Sequence, residues 1–510
     1  MPLSLDRLRR AARDLRRAHL AGDPVALQRL RQHPPRAELS TLKHADYLHV
    51  IALEQSFSSW PRLKLAAETE GLDRAMRQQR LKLALFHGQN WVVDTLLRDT
   101  PDLARGLLGL EVALYDRAAV AQTLAQDPAA ATRAYGPRRP ILHLAFSRWL
   151  QAHPEREADM IAIAEMLVAH GADVNDCVPV APGSDHGLSA LYGAIGHAGN
   201  LPLARWLLTH GADPDDGESL YHATELGHRD GLRLLLEHGA DPRGTNALLR
   251  AMDFHDHEAV ALLVAHGARA DDFDASEVGG EAPWIMPALH QAARRMSDAR
   301  MIALLLDAGA DPRGAYQGAS AYAFARVFAN SDLAAALTSL GAQTPLSREE
   351  SLLAAAAEGR ESPGEWIDPA KLAPAYRDLL RQVVALPGRL GHVRRLVALG
   401  LPYDAPDAEG LTPVQLAGWE GLPDVMAYFL SLRPDLGHIN SYGGTLLSTI
   451  IHGSENCPER RRRDHVACAR LALEQGVALP RSAIALAGEP DMAEFLADWA
   501  AERPGQVVDG

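Results

Sequence analysis

The feature that most constrains this chain is a recurring helix-ending phrase built around Gly-Ala-Asp-Pro. Residues 209–214 read THGADP and residues 237–242 read EHGADP. The same glycine position recurs at spacings of 40, 28, 28, 42 and 32 residues, at Gly171, Gly211, Gly239, Gly267, Gly309 and Gly341. A glycine after an apolar run ends a helix, and Asp-Pro then starts an extended turn. Such self-similarity indicates a repeat array, not a series of globular domains.

Each unit contains a second helix with its own stop. Gly227 lies seven residues after Leu220 and twelve before Gly239. The same seven-residue offset recurs in three other pairs, Leu81 with Gly88, Leu352 with Gly359, and Val414 with Gly421. Helices this short bury one face only, so each pair needs neighbours on both sides. The sequence therefore predicts an all-α solenoid of helix-turn-helix units.

Composition limits the class of protein further. Aromatic residues are 5% of the chain and all hydrophobic residues 47%, so the apolar content is carried by Ala and Leu, which favours packed helices. Three cysteines cannot form a disulfide framework in a chain of 510 residues, so we expect a reducing, cytoplasmic compartment. No apolar stretch is long enough to span a membrane, and the net charge of −14 disfavours general nucleic-acid binding.

The units resemble ankyrin repeats, whose pattern joins T-P-L-H-x-A to a glycine-ended helix and a later L-L-L-x-x-G-A-D. Residues 412–417 read TPVQLA and are followed by Gly421, while residues 142–145 and 289–293 read LHLA and LHQAA. About eleven or twelve units fit between residues 81 and 499. The resemblance implies a protein–protein interaction scaffold or adaptor that binds its partner through the concave face of the stack, and no enzyme activity.

Departures from the repeat divide the chain. The two 28-residue units lack about five residues of the usual turn, so we expect shortened or irregular hairpin loops. The spacing predicts a helical N-terminal capping segment at 1–75 and a first array at 76–342. It also predicts a degenerate repeat with an insertion at 343–375, where the stack could break, a second array at 376–499 and a disordered tail at 500–510.

The N-terminal segment has a pattern of its own. Residues 57–64 read FSSWPRLK, which resembles the F-x-S-W-P-x-L-K ending of a helix-turn segment that precedes ankyrin repeats in some bacterial proteins. Ser56 stands where that segment has glycine. The resemblance implies a bacterial source and a helical cap in which Phe57 and Trp60 cover the first repeat.

The resemblance also locates the partner-binding residues. A concave face of this kind is lined by the end of each first helix, which corresponds to the two residues before the mid-repeat glycine position. Large aromatic and charged side chains there are typical interface anchors. The residues selected are Phe86, His87, Glu225, Asp253, Phe254, Arg294, Arg295, Phe328, Trp419 and Glu420.

Two turns are rich in acid and suggest a basic protein partner. One contains Asp213, Asp215, Asp216 and Glu218, and the other Asp271, Asp272, Asp274, Glu277 and Glu281. Acidic turns steer a basic partner. The competing interpretation, which we favour, is that negative charge keeps an Ala-rich stack soluble.

The histidines invite a metal hypothesis, which their positions disfavour. Four recur directly before the helix-ending glycine and two occupy the His position of T-P-L-H, which are structural positions: His170, His210, His238, His266, His143 and His290. His452, Cys457, His465 and Cys468 bring together four candidate zinc ligands, but their spacing matches no standard zinc site. We predict no metal and no cofactor.

Motifs for catalysis are missing from the sequence. There is no phosphate-binding G-x-x-x-x-G-K-[ST], no nucleophile elbow and no H-E-x-x-H. The alternative to a scaffold is an effector or enzyme-associated protein whose activity lies in the loop at 453–464 or in the N-terminal segment. A third interpretation makes the arginine-rich helix at residues 7–17 a nucleic-acid or membrane contact, although Asp6 and Asp14 weaken it.

Overall fold

The computed structural model describes residues 4–36, 38–39, 42–276, 278, 285–386, 388–457 and 459–508. These residues form 29 α-helices with short 3-10 segments and three two-stranded ladders. The expected all-α helix-turn-helix stack is confirmed.

Four helices make up the N-terminal segment: α1 (Leu5–Leu20), α2 (Pro24–Gln32), α3 (His44–Glu54) and α4 (Trp60–Thr69). Their buried side chains, Leu8, Ala12, Leu15 and Leu30 among them, form a core separate from that of the repeats. Phe57 and Trp60 pack against this core, and their covering of the first repeat stays a prediction. Ser56 has a φ of +65°, the left-handed conformation that the expected glycine would adopt.

The first part of the array contains α5 (Arg74–Phe86), α6 (Asn90–Asp99), α7 (Leu108–Ala113), α8 (Arg117–Gln126), α9 (Pro140–Ala145), α10 (Glu157–Ala169), α11 (Ala190–Tyr192), α12 (Leu201–Thr209), α13 (Ser219–Ala223), α14 (Asp230–Glu237), α15 (Ala247–Asp253), α16 (His257–Ala265), α17 (Ala288–Arg294), α18 (Ala299–Asp307), α19 (Ala321–Phe328) and α20 (Ser331–Ser339). A π-helical turn, Gly193–His197, continues α11.

The remainder contains α21 (Arg348–Ala357), α22 (Leu379–Val384), α23 (Leu390–Ala398), α24 (Pro413–Trp419), α25 (Pro423–Ser431), α26 (Leu446–Asn456), α27 (His465–Glu474), α28 (Arg481–Leu486) and α29 (Pro490–Glu502). The 3-10 segments are Pro128–Ala131, Trp149–Gln151, Pro154–Arg156, Pro369–Lys371, Pro374–Tyr376, Arg460–Arg462 and Pro504–Gln506.

Strands are confined to short ladders. β1 (Cys177–Pro179) pairs antiparallel with β2 (Gly187–Ser189), and β3 (Ala315–Tyr316) pairs antiparallel with β4 (Ala319–Ser320). β5 (Leu479–Pro480) pairs parallel with β6 (Val507–Val508). The hairpin loops of the repeats are therefore shortened or irregular, as expected.

Asparagine and aspartate side chains start the second helix of many pairs. Each accepts a hydrogen bond from a backbone N–H in the first turn, which satisfies a donor that the helix leaves free. The residues that do so are Asp116, Asn200, Asp256, Asp298, Asn330 and Asp464. The predicted helix ends are confirmed as well, because the six recurring glycines have φ values between +65° and +102°.

The histidines before these glycines have the structural role expected of them. His170, His210, His238 and His266 each donate from Nδ1 to the carbonyl oxygen four residues earlier, over 2.7 to 2.9 Å. That carbonyl belongs to the last turn of a helix, where few partners remain. The imidazole therefore stabilises the helix end.

Helices pack in two rows. The first helices α7, α9, α11, α13, α15, α17 and α19 contact each other in that order, and the second helices, such as α8, α10 and α12, contact each other beside them. One apolar core runs between the rows from Leu65 to Trp499. Each pair is stabilised by its neighbours, as a solenoid requires.

The region expected to hold a degenerate repeat contains one helix, α21, which contacts α19 on one side and α23 on the other. Tyr376 stacks on Phe324 with ring centroids 5.8 Å apart, and its hydroxyl donates to Glu350 Oε1 over 2.9 Å. The apolar core therefore continues through 343–375 without the break that the spacing allowed. Separate unfolding of two arrays stays a prediction.

The predicted disordered tail is wrong for the residues described. Val507 and Val508 pair with β5, and Gln506 Nε2 donates to the carbonyl oxygens of Leu473 and Val477 over 2.7 Å each. Trp499 Nε1 donates in turn to Gln506 Oε1 over 3.1 Å. These bonds tie the segment to the end of α27 and to the turn that follows it, which is why the segment is ordered. Residues 509 and 510 lie outside the described residues.

The two ends of the chain meet. α29 packs against α3, and Arg16 of α1 forms an ion pair with Glu494 of α29. His44 Nδ1 lies 3.0 Å from the same carboxylate, and Arg16 also lies 3.5 Å from Asp498. The stack thus curves until its last helix contacts the N-terminal segment. In the part of the chain that the structure describes, no helix combines the length and apolar character that a membrane crossing needs.

Candidate partner-binding surface

A continuous line of side-chain contacts runs along the ends of the first helices. We call it the first-helix stripe: Phe86, Phe146, His197, Glu225, Asp253 and Arg295, together with the side chains that join them. These residues lie at the C-terminal ends of α5, α9, the π-helical turn, α13, α15 and α17. The stacking of the repeats therefore brings into contact residues that are more than 200 positions apart in sequence.

The end of the stripe nearest α5 is aromatic and cationic. The Phe86 ring lies 4.2 Å from the His197 ring and 6.3 Å from Phe146, centroid to centroid. The guanidinium carbon of Arg138 lies over both phenylalanine rings, 4.7 Å and 4.3 Å from their centroids. Burial lowers the pKa of Arg138, and burial beside Arg148 lowers the pKa of His197 to about 4. A guanidinium that lies over aromatic rings is attracted by their electron-rich faces.

The middle of the stripe is an ion-pair network. His222 Nδ1 lies 2.9 Å from Glu225, and Arg250 Nη2 lies 2.6 Å from the same carboxylate. Arg250 also forms an ion pair with Asp253, over 3.3 Å from Nη1. Arg295 Nε lies 2.7 Å from the same Asp253 carboxylate. Although burial alone would raise it, these cations hold the pKa of Glu225 below its ordinary value. The network orders long side chains before any partner arrives, which reduces the entropic cost of binding.

Nine of the ten predicted binding residues reach the surface to different extents. His87 is exposed, Phe254 is 50% exposed, and seven others are half-buried: Phe86, Glu225, Asp253, Arg294, Arg295, Trp419 and Glu420. Phe254 is covered on one face by the guanidinium of Arg250, 5.0 Å away. Burial lowers the pKa of Arg294 to about 10 and raises that of Glu420. Their role in binding stays a prediction.

Phe328 is the exception, and its selection as a surface anchor is wrong. Its side chain is fully buried and packs on Phe324, with ring centroids 4.8 Å apart. The position that follows it is Ala329, not glycine, although Ala329 also has a positive φ of +58°. Here the helix turns the aromatic ring into the core.

Six residues described in the stripe were not predicted: Arg138, Phe146, Arg148, His197, His222 and Arg250. Arg138, Phe146 and Arg148 lie in a unit that has no glycine at the mid-repeat position, so the rule used to choose residues did not apply. His197 lies two residues before Gly199, which has a φ of +61°, so the same rule would have found it. Only the stacked structure shows that these side chains join the others.

The acidic turns have an internal role. Asp215 accepts a hydrogen bond from the backbone N–H of Asp241, and Asp271 accepts one from that of Asp311, over 2.8 and 2.9 Å. Each bond joins one turn to the next, so these carboxylates link adjacent repeats. Glu218 is completely buried between His186 and His222 and does not project from the turn. Glu277 and Glu281 lie outside the described residues.

The four candidate zinc ligands near residue 460 have separate partners. His465 Nε2 donates to the carbonyl of Trp419 over 2.8 Å, and the His452 ring lies 5.1 Å from the Trp419 ring. The buried Cys457 thiol donates to Glu420 over 3.8 Å, and burial raises the pKa of Cys468 to about 12. Among the residues that the structure describes, no cluster of three or more His, Cys, Asp or Glu is placed to hold a metal ion.

The stripe predicts a pH dependence of stability. Burial alone would lower the pKa of His222, but hydrogen bonds to Glu218 and Glu225 outweigh it and raise the pKa from 6.5 to about 9. Because the folded-state pKa is the higher one, the stabilisation is complete below pH 6.5 and is lost as the pH rises through 9. We expect a loss of at most about 3 kcal/mol, since one pKa unit corresponds to about 1.4 kcal/mol. His222→Gln flattens this dependence.

The measurement is the urea unfolding midpoint at pH 6, 7, 8 and 9 for the wild type and the variant. Substitution of the exposed His87 by glutamine serves as the control and leaves the dependence unchanged. Parallel curves for the wild type and His222→Gln would contradict the assignment.

Part of the chain matches a known repeat family. Residues 191–274, which include α12 to α16, match the family model for ankyrin repeats in three copies. No curated protein matches the chain. Among solved structures, the human ASB11 ankyrin repeat domain is similar over 48% of this chain and 100% of that domain, with 22% sequence identity and a TM-score of 0.34. The chain therefore contains ankyrin repeats between residues 191 and 274.

Proposed function

We propose that this chain is a scaffold or adaptor that binds a protein partner along the first-helix stripe. The observation that supports the proposal is the contact line from Phe86 to Arg295, which Tyr192 joins by its contacts with Phe146 and His222. Its aromatic and charged side chains are ordered, and all but Phe146 remain partly exposed. Ankyrin repeats are generally protein-interaction modules, and the stripe follows the helix ends that the sequence pattern selects for binding. Phe254, half exposed at the centre, is the main anchor.

The charges of the stripe define the chemistry of the partner. Glu225 and Asp253 are each bonded to arginine within the chain. Arg138 and Arg148, in contrast, have no carboxylate within 4 Å among the described residues, and both have a pKa lowered by burial. A desolvated guanidinium binds a carboxylate strongly. The partner therefore places an acidic side chain against Arg138, beside the half-buried Phe86, and not the basic one that the acidic turns suggested.

The test uses the immobilised full chain to recover partners from a lysate of the cells that produce it. Phe254→Ala combined with Arg138→Ala lowers the affinity of the recovered partner at least tenfold, because truncation of a central anchor costs about 2 kcal/mol or more. Titration of the purified partner by calorimetry gives the value.

Trp366→Ala is the matched control. Trp366 is 57% exposed and lies beside Gly400, where the second helix α23 ends, away from the stripe. We expect this variant to bind like the wild type. If the Phe254→Ala, Arg138→Ala variant also kept full affinity while folded by circular dichroism, the first-helix stripe would not be the binding surface.

A further inference from the structure

A half-open cavity of about 540 Å³ lies where the two chain ends meet. Its wall is formed by α1, α3 and α4 of the N-terminal segment, by α5 and α6 of the first pair, and by α28 and α29 at the C-terminal end. Volumes of 300 to 1,000 Å³ are typical of sites for small organic ligands. The cavity lies apart from the first-helix stripe, and its lining shares no residue with it.

Basic side chains dominate the charged lining. Arg9, Arg13, Lys64, Arg80 and Arg481 border the cavity, against two acids, Glu68 and Glu494. The whole chain has a net charge of −14, whereas the lining of this cavity has an excess of positive charge. A concave site with one sign of charge concentrates ligands of the opposite sign.

Both acids are already paired. Glu494 is bound by Arg16 and lies 3.0 Å from His44 Nδ1. Glu68 lies 3.7 Å from Lys64 Nζ and 3.5 Å from Arg80 Nη2. Arg9 and Arg13, in contrast, make no ion pair with any described residue, although both are half-buried. Arg13 acts electrostatically on the Asp498 carboxylate but forms no ion pair with it, so both guanidinium groups of α1 remain available to an anion.

Aromatic rings form another part of the wall. Trp60, the first residue of α4, and Trp91, near the start of α6, both border the cavity, and Trp91 is 37% exposed. Partly exposed indole rings stack on flat heterocycles. Arginine and lysine recognise phosphate groups through charge and donated hydrogen bonds. The combination fits a ligand with phosphate groups at one end and a flat ring at the other.

We propose that this cavity binds a nucleotide, with its phosphates held by Arg9 and Arg13 and its base against Trp60 and Trp91. The walls come from both ends of the chain, so the ligand also links the N-terminal segment to the last repeat. The inference does not depend on the proposed partner-binding function.

Calorimetry with the full chain tests the proposal, with ATP, pyrophosphate and adenosine as separate probes. We expect ATP to bind at least tenfold more tightly than either pyrophosphate or adenosine, because only ATP contacts both parts of the wall. Pyrophosphate binding as tight as that of ATP would overturn the assignment of a base site, and no measurable binding of ATP at millimolar concentration would overturn the proposal.

Two variants distinguish the cavity from general charge attraction. Arg9→Ala with Arg13→Ala lowers the affinity for ATP at least tenfold. Arg10→Ala with Arg17→Ala removes the same charge from the exposed side of α1 and changes the affinity less than twofold. Equal losses in the two variants would overturn the proposal. Lys64→Gln leaves α1 intact and is also expected to lower the affinity for ATP. It replaces the Arg9→Ala, Arg13→Ala variant in the test if that variant does not fold.

Discussion

Replacement of Phe324 by alanine lowers the free energy of unfolding by about 3 to 5 kcal/mol, the range for deleting a buried phenylalanine ring. Phe324 is completely buried, and its ring centroid lies 4.8 Å from that of Phe328, 5.2 Å from His290 and 5.8 Å from Tyr376. One side chain thus joins α17, α19 and the turn before α22. The void it leaves removes contacts on three sides at once, in the region where the stack has only the single helix α21.

Urea unfolding followed by circular dichroism measures the effect as a lower midpoint. Phe254→Ala is the matched control, since the same ring is removed from a side chain that is 50% exposed. It costs no more than about 1 kcal/mol, the value of its contact with Arg250. Comparable losses for the two variants would show that Phe324 is not part of the continuous core.

Reversal of the charge at Glu494 separates the two ends of the chain. The Glu494 side chain is 8% exposed. Its carboxylate forms an ion pair with Arg16 and lies 3.0 Å from His44 Nδ1. Removing one partner of a fully buried ion pair costs about 3 to 5 kcal/mol, and we expect a smaller loss here because the Arg16 side chain is 37% exposed and also lies near Asp498. Glu494→Arg places two guanidinium groups together beside His44, so we expect the contact between α29 and α3 to open.

Small-angle X-ray scattering detects the opening as a larger radius of gyration with unchanged helix content. The double variant Arg16→Glu, Glu494→Arg restores the pair with the signs exchanged and returns the radius towards that of the wild type. Glu502→Arg, at a site where the side chain is 71% exposed, makes the same change of net charge and leaves the scattering unaltered. An unchanged radius for Glu494→Arg would mean that the ends stay together without this pair.

Local patterns predicted the helices well because their causes are local. Gly211 and Gly239 end helices since glycine alone adopts a φ near +94° without strain. His210 and His238 bond to the carbonyl four residues earlier, a contact that the helix itself supplies. The positions at which helices end within a repeat can therefore be inferred from the sequence alone.

Exposure was harder to predict, because it depends on what the neighbouring elements cover. Phe254 and Phe328 both precede the expected stop of a first helix, yet Phe254 is 50% exposed and Phe328 is completely buried. Glu218 belongs to an acidic turn but is enclosed by histidines from two different segments. Neither outcome follows from the repeat pattern, because the covering groups lie in other units.

The sequence by itself determined that this chain is a stack of paired helices, where most of those helices end, and which histidines serve the helix ends. Only the tertiary structure decided which side chains form the first-helix stripe, that the tail is ordered, and that Arg16 meets Glu494 across 478 positions. The physical reason is the range of the forces involved. Helix ends are set by backbone conformation and hydrogen bonds within a few residues. The closure of the stack depends on the summed curvature of many repeats, to which each unit contributes a little.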